Sequence, residues 1–443
     1  MKSLPLRRVL ITIGVLATTA LLATGCSSTS PVAAEHVGVA DGVVTIYGST
    51  TGADAILLQK SWEPWATAHN ITIKYQGSAT FQGDIGGEAQ KQQAPDLAIF
   101  DQPGLMRDLA RLGYLKPAPA SVKAAVAQHY TKEWARVASL GSTLYGSPFL
   151  ATIHGYIWYS PKMFAKYGIT SPPTTWPQLK ALTQTLYEKA GRSPWCEGFD
   201  SASTSGAAGT DWIEDVLIRE SGPKVYDAWA THRIPFTDEH VAQAMSDAGQ
   251  IVMSPTYTNS EFGGAGSIAT TSQVQIAKAL VAGKCLLTHQ PSSFESVLQL
   301  PNVGNPTIAP TKGIWAFMMP SVTGDATPII GSGSVLAAFS NDAQTKEVQA
   351  YLASPEWANS RARLGGVISA NLGLNPANTN DLLAKFAIQL LQKPSTVFRY
   401  DASDQMPAII GSGAFLTGMM EWAKGAPVPK VLKEIDSYWP DSP

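Results

Sequence analysis

The chain has 443 residues, 44% of them hydrophobic and 15% charged, with 12 Trp, 14 Tyr and 13 Phe. A disordered chain would be rich in charge and poor in aromatics, so that class is excluded, and the length suits two domains better than one. The formal charge is −2; Lys2, Arg7 and Arg8 stand in the first 25 residues without an acid, so the remainder carries −5, and a nucleic-acid partner, which calls for a basic surface, is excluded.

Those three cations open the chain, and Val9 to Ala23 follows as an apolar run too short to span a bilayer comfortably. It is the one stretch that could reach a membrane, so a polytopic membrane protein is also excluded. The run ends at Thr24-Gly25-Cys26, which resembles a bacterial lipobox: cleavage before Cys26, then diacylglycerol on its thiol. Ala23 stands where the pattern prefers Leu. Residues 1–25 are therefore expected to be a lipoprotein signal peptide, and 26–41, poor in large apolar residues, a flexible tether. The alternative is an ordinary secreted protein with an incidental Cys26.

VVTIYGS (Val43–Ser49) reads as a short strand, and Ile56, Leu57, Trp62 and Trp65 place a helix over Asp54–His69. ITIKYQG (Ile71–Gly77) alternates as a second strand, followed by a helix from about Phe81 to Gln92. DLAIFDQPG (Asp96–Gly104) is a third strand, broken by Gln102-Pro103-Gly104, before a helix over Leu105–Leu112. Strand–helix alternation with short connections predicts a parallel sheet with crossover helices. Thr143–Phe164 then reads as a long extended stretch leaving one domain for another. Further helices are expected after Thr170-Ser171-Pro172-Pro173 and over Trp212–Glu220, Glu239–Met253, Ser272–Ala282 and Thr345–Ala353. Tandem repeats and charge blocks are absent from the sequence.

Beyond Cys26 only Cys196 and Cys285 remain. Outside the cytoplasm an isolated pair is usually a disulfide. Two separate buried thiols are the alternative; zinc is disfavoured because no His stands at a ligand spacing from either Cys.

A colinear set of motifs then carries a resemblance. Gly48-Ser49-Thr50-Thr51-Gly52 follows the first strand; Pro95-Asp96-Leu97-Ala98 leads to Gln102-Pro103-Gly104-Leu105; then come Ile157-Trp158-Tyr159-Ser160-Pro161-Lys162, Pro194-Trp195-Cys196 and Gly209 to Asp215 (GTDWIED). Lys284 to Phe294, Tyr351 to Glu356, Gly365-Gly366 to Ser369, FRYDASDQMP (Phe398–Pro407) and Gly411-Ser412-Gly413 complete it. The chain resembles the extracellular solute-binding proteins of family 1, the receptors of sugar ABC importers, and within them the α-glucoside-binding branch. That branch carries Cys at both matching positions, which supports the disulfide. It commonly has Trp where this chain has Thr50 and Lys near the position of His154.

The resemblance implies an α/β, two-lobed periplasmic-binding-protein fold of type II-like design, each lobe a parallel-rich sheet with flanking helices. Lobe 1 maps to 42–152 with 333–366, and lobe 2 to 153–332 with 367–443. A monomer is expected, lipid-anchored on the outer face of the cytoplasmic membrane. It would bind an oligosaccharide between the lobes and pass it to permease subunits served by a cytoplasmic ATPase, without cofactor, metal or catalysis. Strand tips Ser49–Gly52, Ser78–Phe81 and Asp101–Gly104 lie where parallel sheets bind ligands. Polar side chains would take sugar hydroxyls and aromatic faces would stack on the ring. The expected contacts are Thr51, Gly52, Asp101, Gln102, His154, Asp211, Gln290, Arg399 and Asp404, with Phe81, Trp212, Phe262 and Trp315 as platforms and Gly264 in a Gly-rich loop. Asp211 could instead cap a helix starting at Trp212, and Arg399 could brace a lobe through Asp401 or Asp404.

Other classes fit less well. A surface glycoside hydrolase needs two facing carboxylates; adjacent Glu214 and Asp215 would point about 100° apart on a helix, and Asp401/Asp404 is the other pair. GSGS at Gly331–Ser334 is not a nucleophile elbow, and the chain contains no phosphate-binding loop and no HExxH. A sugar-binding adhesin or chemoreceptor component without a transporter would share the same fold.

Overall fold

The structure is a computed structural model that describes residues 37–322, 328–366 and 368–440. The proposed signal peptide, the start of the tether and Cys26 lie outside the described residues. Among the described residues the strands run in chain order: β1 (Val43–Gly48), β2 (Thr72–Gly77), β3 (Leu97–Phe100), β4 (Ser139–Leu140), β5 (Thr143–Leu144), β6 (Gly146–Ile153), β7 (Tyr156–Tyr159), β8 (Leu287–Gln290), β9 (Trp315–Met318), β10 (Ile329–Ala338) and β11 (Phe398–Tyr400).

The larger sheet has the order β11-β10-β3-β1-β2, with β6 also paired to β10. β1 pairs in parallel with β2 and β3, and β10 with β11; β10 runs antiparallel to β3 and β6. The fold is a two-lobed α/β architecture, and in the first lobe the helices over Gly52–Ala68 and Phe81–Gln90 make the expected crossovers. Pro103 stands at the first turn of the next helix, Pro103–Arg111, where its missing N–H costs nothing.

One expectation is corrected. The second sheet, β8-β7-β9, is antiparallel throughout. Tyr156–Tyr159 is buried at all four positions, and a short strand buried on both faces shows no period from which its direction could be read.

The helix expected over Trp212–Glu220 runs from Ala207 to Ala230, broken at Gly222, whose φ of 79° is non-helical, just ahead of Pro223. The sequence thus marks the break but not the first turn. Ser272 and Gln275 form a reciprocal capping box at the next helix but one, Gln273–Val281.

Cys196 and Cys285, 89 positions apart in sequence, form a disulfide with Cα atoms 5.6 Å apart. Both are buried in the hydrophobic core. Replacing the pair with alanines is expected to lower unfolding free energy by about 2–4 kcal/mol on the chain-entropy account. Ligand affinity should hold, because neither cysteine lines the cavity described below. Denaturant titration that finds no loss would show the bridge to be structurally idle.

Candidate functional site

The three parallel strands end side by side. Ser49 follows β1, Ala79 and Thr80 follow β2, and Asp101 and Gln102 follow β3. With Gln82 and Gly83 they form one wall of a cavity of about 820 Å³. The floor is Leu150–Thr152 of β6 and Ser332–Ser334 of β10; Thr204, Asp404, Ser412 and Leu416 close the opposite side. β6 and β10 belong to the same sheet as the three parallel strands, and the cavity lies beyond the carboxyl ends of those strands.

Two glycines bring Asp404 to this place. A Cβ on Gly104 would lie 2.2 Å from the carbonyl oxygen of Met406, and one on Gly411 only 1.8 Å from that of Ser403. Side chains at either position would push the Asp401–Met406 segment away. Arg107 Nη1 donates to the Gln405 carbonyl at 2.9 Å, tying the same segment to the first lobe. From the other side Glu214, buried, accepts from the backbone N–H groups of Ala402 (2.8 Å) and Ser403 (3.0 Å) and from the Tyr226 hydroxyl (2.5 Å).

The acids of GTDWIED thus divide by helix face. Asp211 and Asp215, four apart, point to the crossover between β6 and β7. Asp211 Oδ1 lies 3.0 Å from His154 Nδ1. Asp215 Oδ2 lies 2.7 Å from His289 Nε2, and Arg219 Nη1 donates to Asp215 Oδ1. Asp211 does not cap the helix, which begins a turn earlier at Ala207. Glu214, on another face, holds the Asp404 segment.

His154 is the centre of the polar network. Nδ1 also lies 3.4 Å from Asp401 Oδ2, and Nε2 lies 2.8 Å from Ser332 Oγ. Burial by itself would lower its pKa, but Asp211, Asp401 and Asp404 more than offset this and hold it up at about 10. His154, Asp211 and Asp401 place donor atoms within 4.8 Å of one another, as a metal cage would. Both ring nitrogens are already hydrogen-bonded, so the trio reads as an ion cluster.

A folded pKa raised above the unfolded one stabilises below the unfolded value and is lost as pH rises through the folded one. His154 should therefore contribute stability in full below its ordinary value near 6.5, fading toward pH 10. Wild type should lose more unfolding free energy than His154→Gln between pH 7 and 10. Equal slopes in urea titrations would show His154 to be neutral.

In the cavity wall, Asp101 accepts from the Ser49 hydroxyl; burial raises its pKa, partly offset by that hydrogen bond. Burial, then the neighbouring Asp401, raise the pKa of Asp404, with His154 opposing and Asp101 adding to the rise. Among the described residues the cavity lining holds two carboxyls, hydroxyls and an amide pair, but no Lys, Arg or aromatic ring.

Of the expected contacts, Asp101, Gln102 and Asp404 line the cavity. Thr51, the residue before the first helix, and Gly52 are exposed at the same strand end. His154 and Asp211 stand behind the wall. The aromatic platforms are corrected. Phe81 is fully buried, 4.8 Å from the Tyr47 ring and 5.7 Å from Phe100. Trp212 is fully buried, 5.6 Å from Trp195, with Nε1–H donating to Glu197 Oε2 at 3.1 Å. Phe262 and Trp315 are partly buried against core residues and do not line the cavity. Gly264 turns in the loop after Asn259, its N–H donating to the Asn259 carbonyl.

Gln290 is buried at the end of β8, where its Oε1 accepts from Gln273 Nε2 at 2.9 Å. Arg399 pairs with Asp227 rather than Asp401 or Asp404, in a two-pronged contact of 2.7 and 3.0 Å. Thr80 falls in the expected tip Ser78–Phe81; missed were Gln82, Thr152, Thr204, Ser332, Ser334 and Ser412 as wall residues. Ser412 sits in the quoted Gly-Ser-Gly motif, and Ser332 and Ser334 in the GSGS considered only as a failed elbow.

Residues 48–359 match the model of the family of bacterial extracellular solute-binding proteins. The chain belongs to this family. A solute-binding protein of this kind is a binding protein, not an enzyme, and its family works in the extracellular or periplasmic space. This solute-binding protein is 31% identical over 400 residues to the osmoprotective compounds-binding protein GgtB of Synechocystis sp., covering 90% of this chain and 92% of that one. It is 29% identical over 412 residues to the α-glucosides-binding periplasmic protein AglE of Rhizobium meliloti, covering 89% and 86%. Its fold is similar to that of the solute receptor AcbH, with a TM-score of 0.72 at 16% identity over 89% of this chain and 98% of that one. A chitin oligosaccharide binding protein gives a TM-score of 0.71 at 17% identity over 89% and 97%.

Proposed function

We propose that this chain is the substrate-binding component of an ABC importer for a neutral sugar of α-glucoside type. It would be anchored through lipid on Cys26, act as a monomer, and hand its ligand unchanged to the permease. The observation that carries the reading is the cavity of about 820 Å³ at the strand ends, lined by hydroxyl, amide and carboxyl groups. Its volume suits a small-molecule cleft. Closure of one lobe on the other would dehydrate the ligand. The names of the two relatives, an α-glucoside binder and a binder of osmoprotective compounds, support a polyhydroxylated ligand.

The lobes are proposed to divide at 42–152 with 333–366 against 153–332 with 367–443, with one adjustment. Asn371 and Asn375 hydrogen-bond to Ala353 and Asn359, so that stretch goes with the first lobe.

Calorimetry of the mature protein with maltose, trehalose, sucrose and raffinose tests the proposal, with the sugars recovered intact. Asp404→Ala should raise Kd about tenfold to hundredfold, the cost of roughly 1–3 kcal/mol for sugar hydroxyls left without a partner in a closed cleft. Asp101→Ala should do the same. A wild-type protein that binds none of the four sugars, or an Asp404→Ala variant that binds like wild type, overturns the reading.

A further inference from the structure

Ser332 is where the buried ion cluster meets the cleft. Its Oγ lies 2.8 Å from His154 Nε2, and the residue lines the cavity. What Ser332 can offer a ligand depends on which partner of that hydrogen bond holds the proton. A neutral His154 protonated on Nδ1 would accept the Ser332 hydroxyl hydrogen, leaving only oxygen lone pairs for the cleft. An imidazolium has two N–H donors and no acceptor. Its Nε2–H would donate to Ser332 Oγ, and the serine hydrogen would have to turn elsewhere, toward the cavity.

The surroundings decide between the two. Asp211 and Asp215 face the crossover from the long helix, and Asp401 and Asp404 from the segment after β11, with Asp101 beyond Asp404. The opposing guanidinium of Arg219 is committed to Asp215, which also takes the His289 imidazole. The carboxylate of Asp211 is at hydrogen-bond distance from Nδ1, and Asp401 lies just outside it. Resting on the solute-binding reading above, we propose that His154 is a permanent imidazolium that fixes Ser332 as a hydrogen-bond donor into the cleft. Ser332 is then a specificity-determining residue, and His154 the residue that positions its proton. The ligand atom meeting Ser332 accepts a hydrogen bond, as a ring or glycosidic oxygen does, whereas the groups meeting Asp101 and Asp404 donate.

Long-range 15N–1H spectra of the imidazoles, with His154 assigned by its loss in His154→Gln, test the first half without any ligand. Both His154 nitrogens should keep the shifts of a protonated ring from pH 6 to 8.5. A neutral tautomer at pH 7.5 overturns the proposal. Calorimetry with maltose and trehalose tests the second half. Ser332→Ala and His154→Leu should each raise Kd about tenfold, with no further rise in the double variant, and His154→Gln, which keeps an N–H donor, should recover most of the loss. A His154→Leu variant that binds like wild type, or a Gln variant as weak as Leu, overturns the proposal. Should His154→Leu not fold, Ser332→Ala and the nitrogen shifts still decide it. A wild-type protein that binds neither sugar defeats the sugar reading, while the shifts alone then settle the state of His154.

Discussion

Trp212→Ala is expected to lower the unfolding free energy by about 3–5 kcal/mol, the usual cost of removing a large buried ring. Trp212 is fully buried, lies 5.6 Å from Trp195 and 4.6 Å from His289, and its indole N–H satisfies Glu197. Its loss leaves both a cavity and an unpaired Glu197 Oε2. That carboxyl is already raised to about 7, chiefly by burial, so it has little tolerance for a lost donor. The protein that remains folded should bind its sugar within about threefold of wild type, since a factor of ten would need roughly 1.4 kcal/mol of contact that the ring does not make. Urea unfolding and calorimetry on one preparation separate the effects. A tenfold weaker Kd with unchanged stability would put the ring back in the cleft.

Asp215→Ala should cost a similar 3–5 kcal/mol for a different reason. The carboxylate is the shared partner of Arg219 and His289, whose side chains are 2% and 1% exposed. Burial would raise the pKa of Asp215, but Arg219 and His289 outweigh it and hold it below the ordinary value. Such a group stabilises above its unfolded pKa and is lost as pH falls through the folded one. Removing it strands a buried guanidinium, which is far more costly than never having had the pair. The double variant Asp215→Leu/Arg219→Met should therefore recover much of the loss, a coupling that a double-mutant cycle reads directly. If Asp215→Ala unfolds at the wild-type midpoint, the cluster contributes no net stability. Asp215 also packs against Gly155, where a Cβ would stand 2.9 Å from its Oδ2. The variant is thus expected to loosen the crossover beneath the cavity and to weaken sugar binding along with stability.

Several features were legible in the sequence because they are fixed locally. The three parallel strands, their crossover helices and the turns at Ser49 and Gln102-Pro103 follow from periodicity and from Gly and Pro. The break before Pro223 follows from a missing N–H. Two cysteines outside the cytoplasm left few ways to pair. The motif order also placed Gly104, Asp404 and Gly411 in view, though not the reason for them. In the fold these residues interlock, because each glycine admits a carbonyl of the segment that carries Asp404.

What tertiary structure alone decided is which polar or aromatic group faces the ligand and which faces another residue. Trp212 and Phe81 have the composition of stacking platforms, and only packing from distant segments buries them. Arg399 finds Asp227, 172 positions away, and His154 finds Asp211 at 57 and Ser332 at 178. The plain serines and threonines of the wall carry no signal of their own, since hydroxyls are common on any surface. They become a site when β6 and β10 bring Thr152 and Ser332 beneath three strand ends that are adjacent in space but not in sequence. Local propensity is set by neighbours within a few residues, so it could shape the elements. The partner of each side chain depends on chain closure over tens to hundreds of residues, and the sequence read by itself does not contain that geometry.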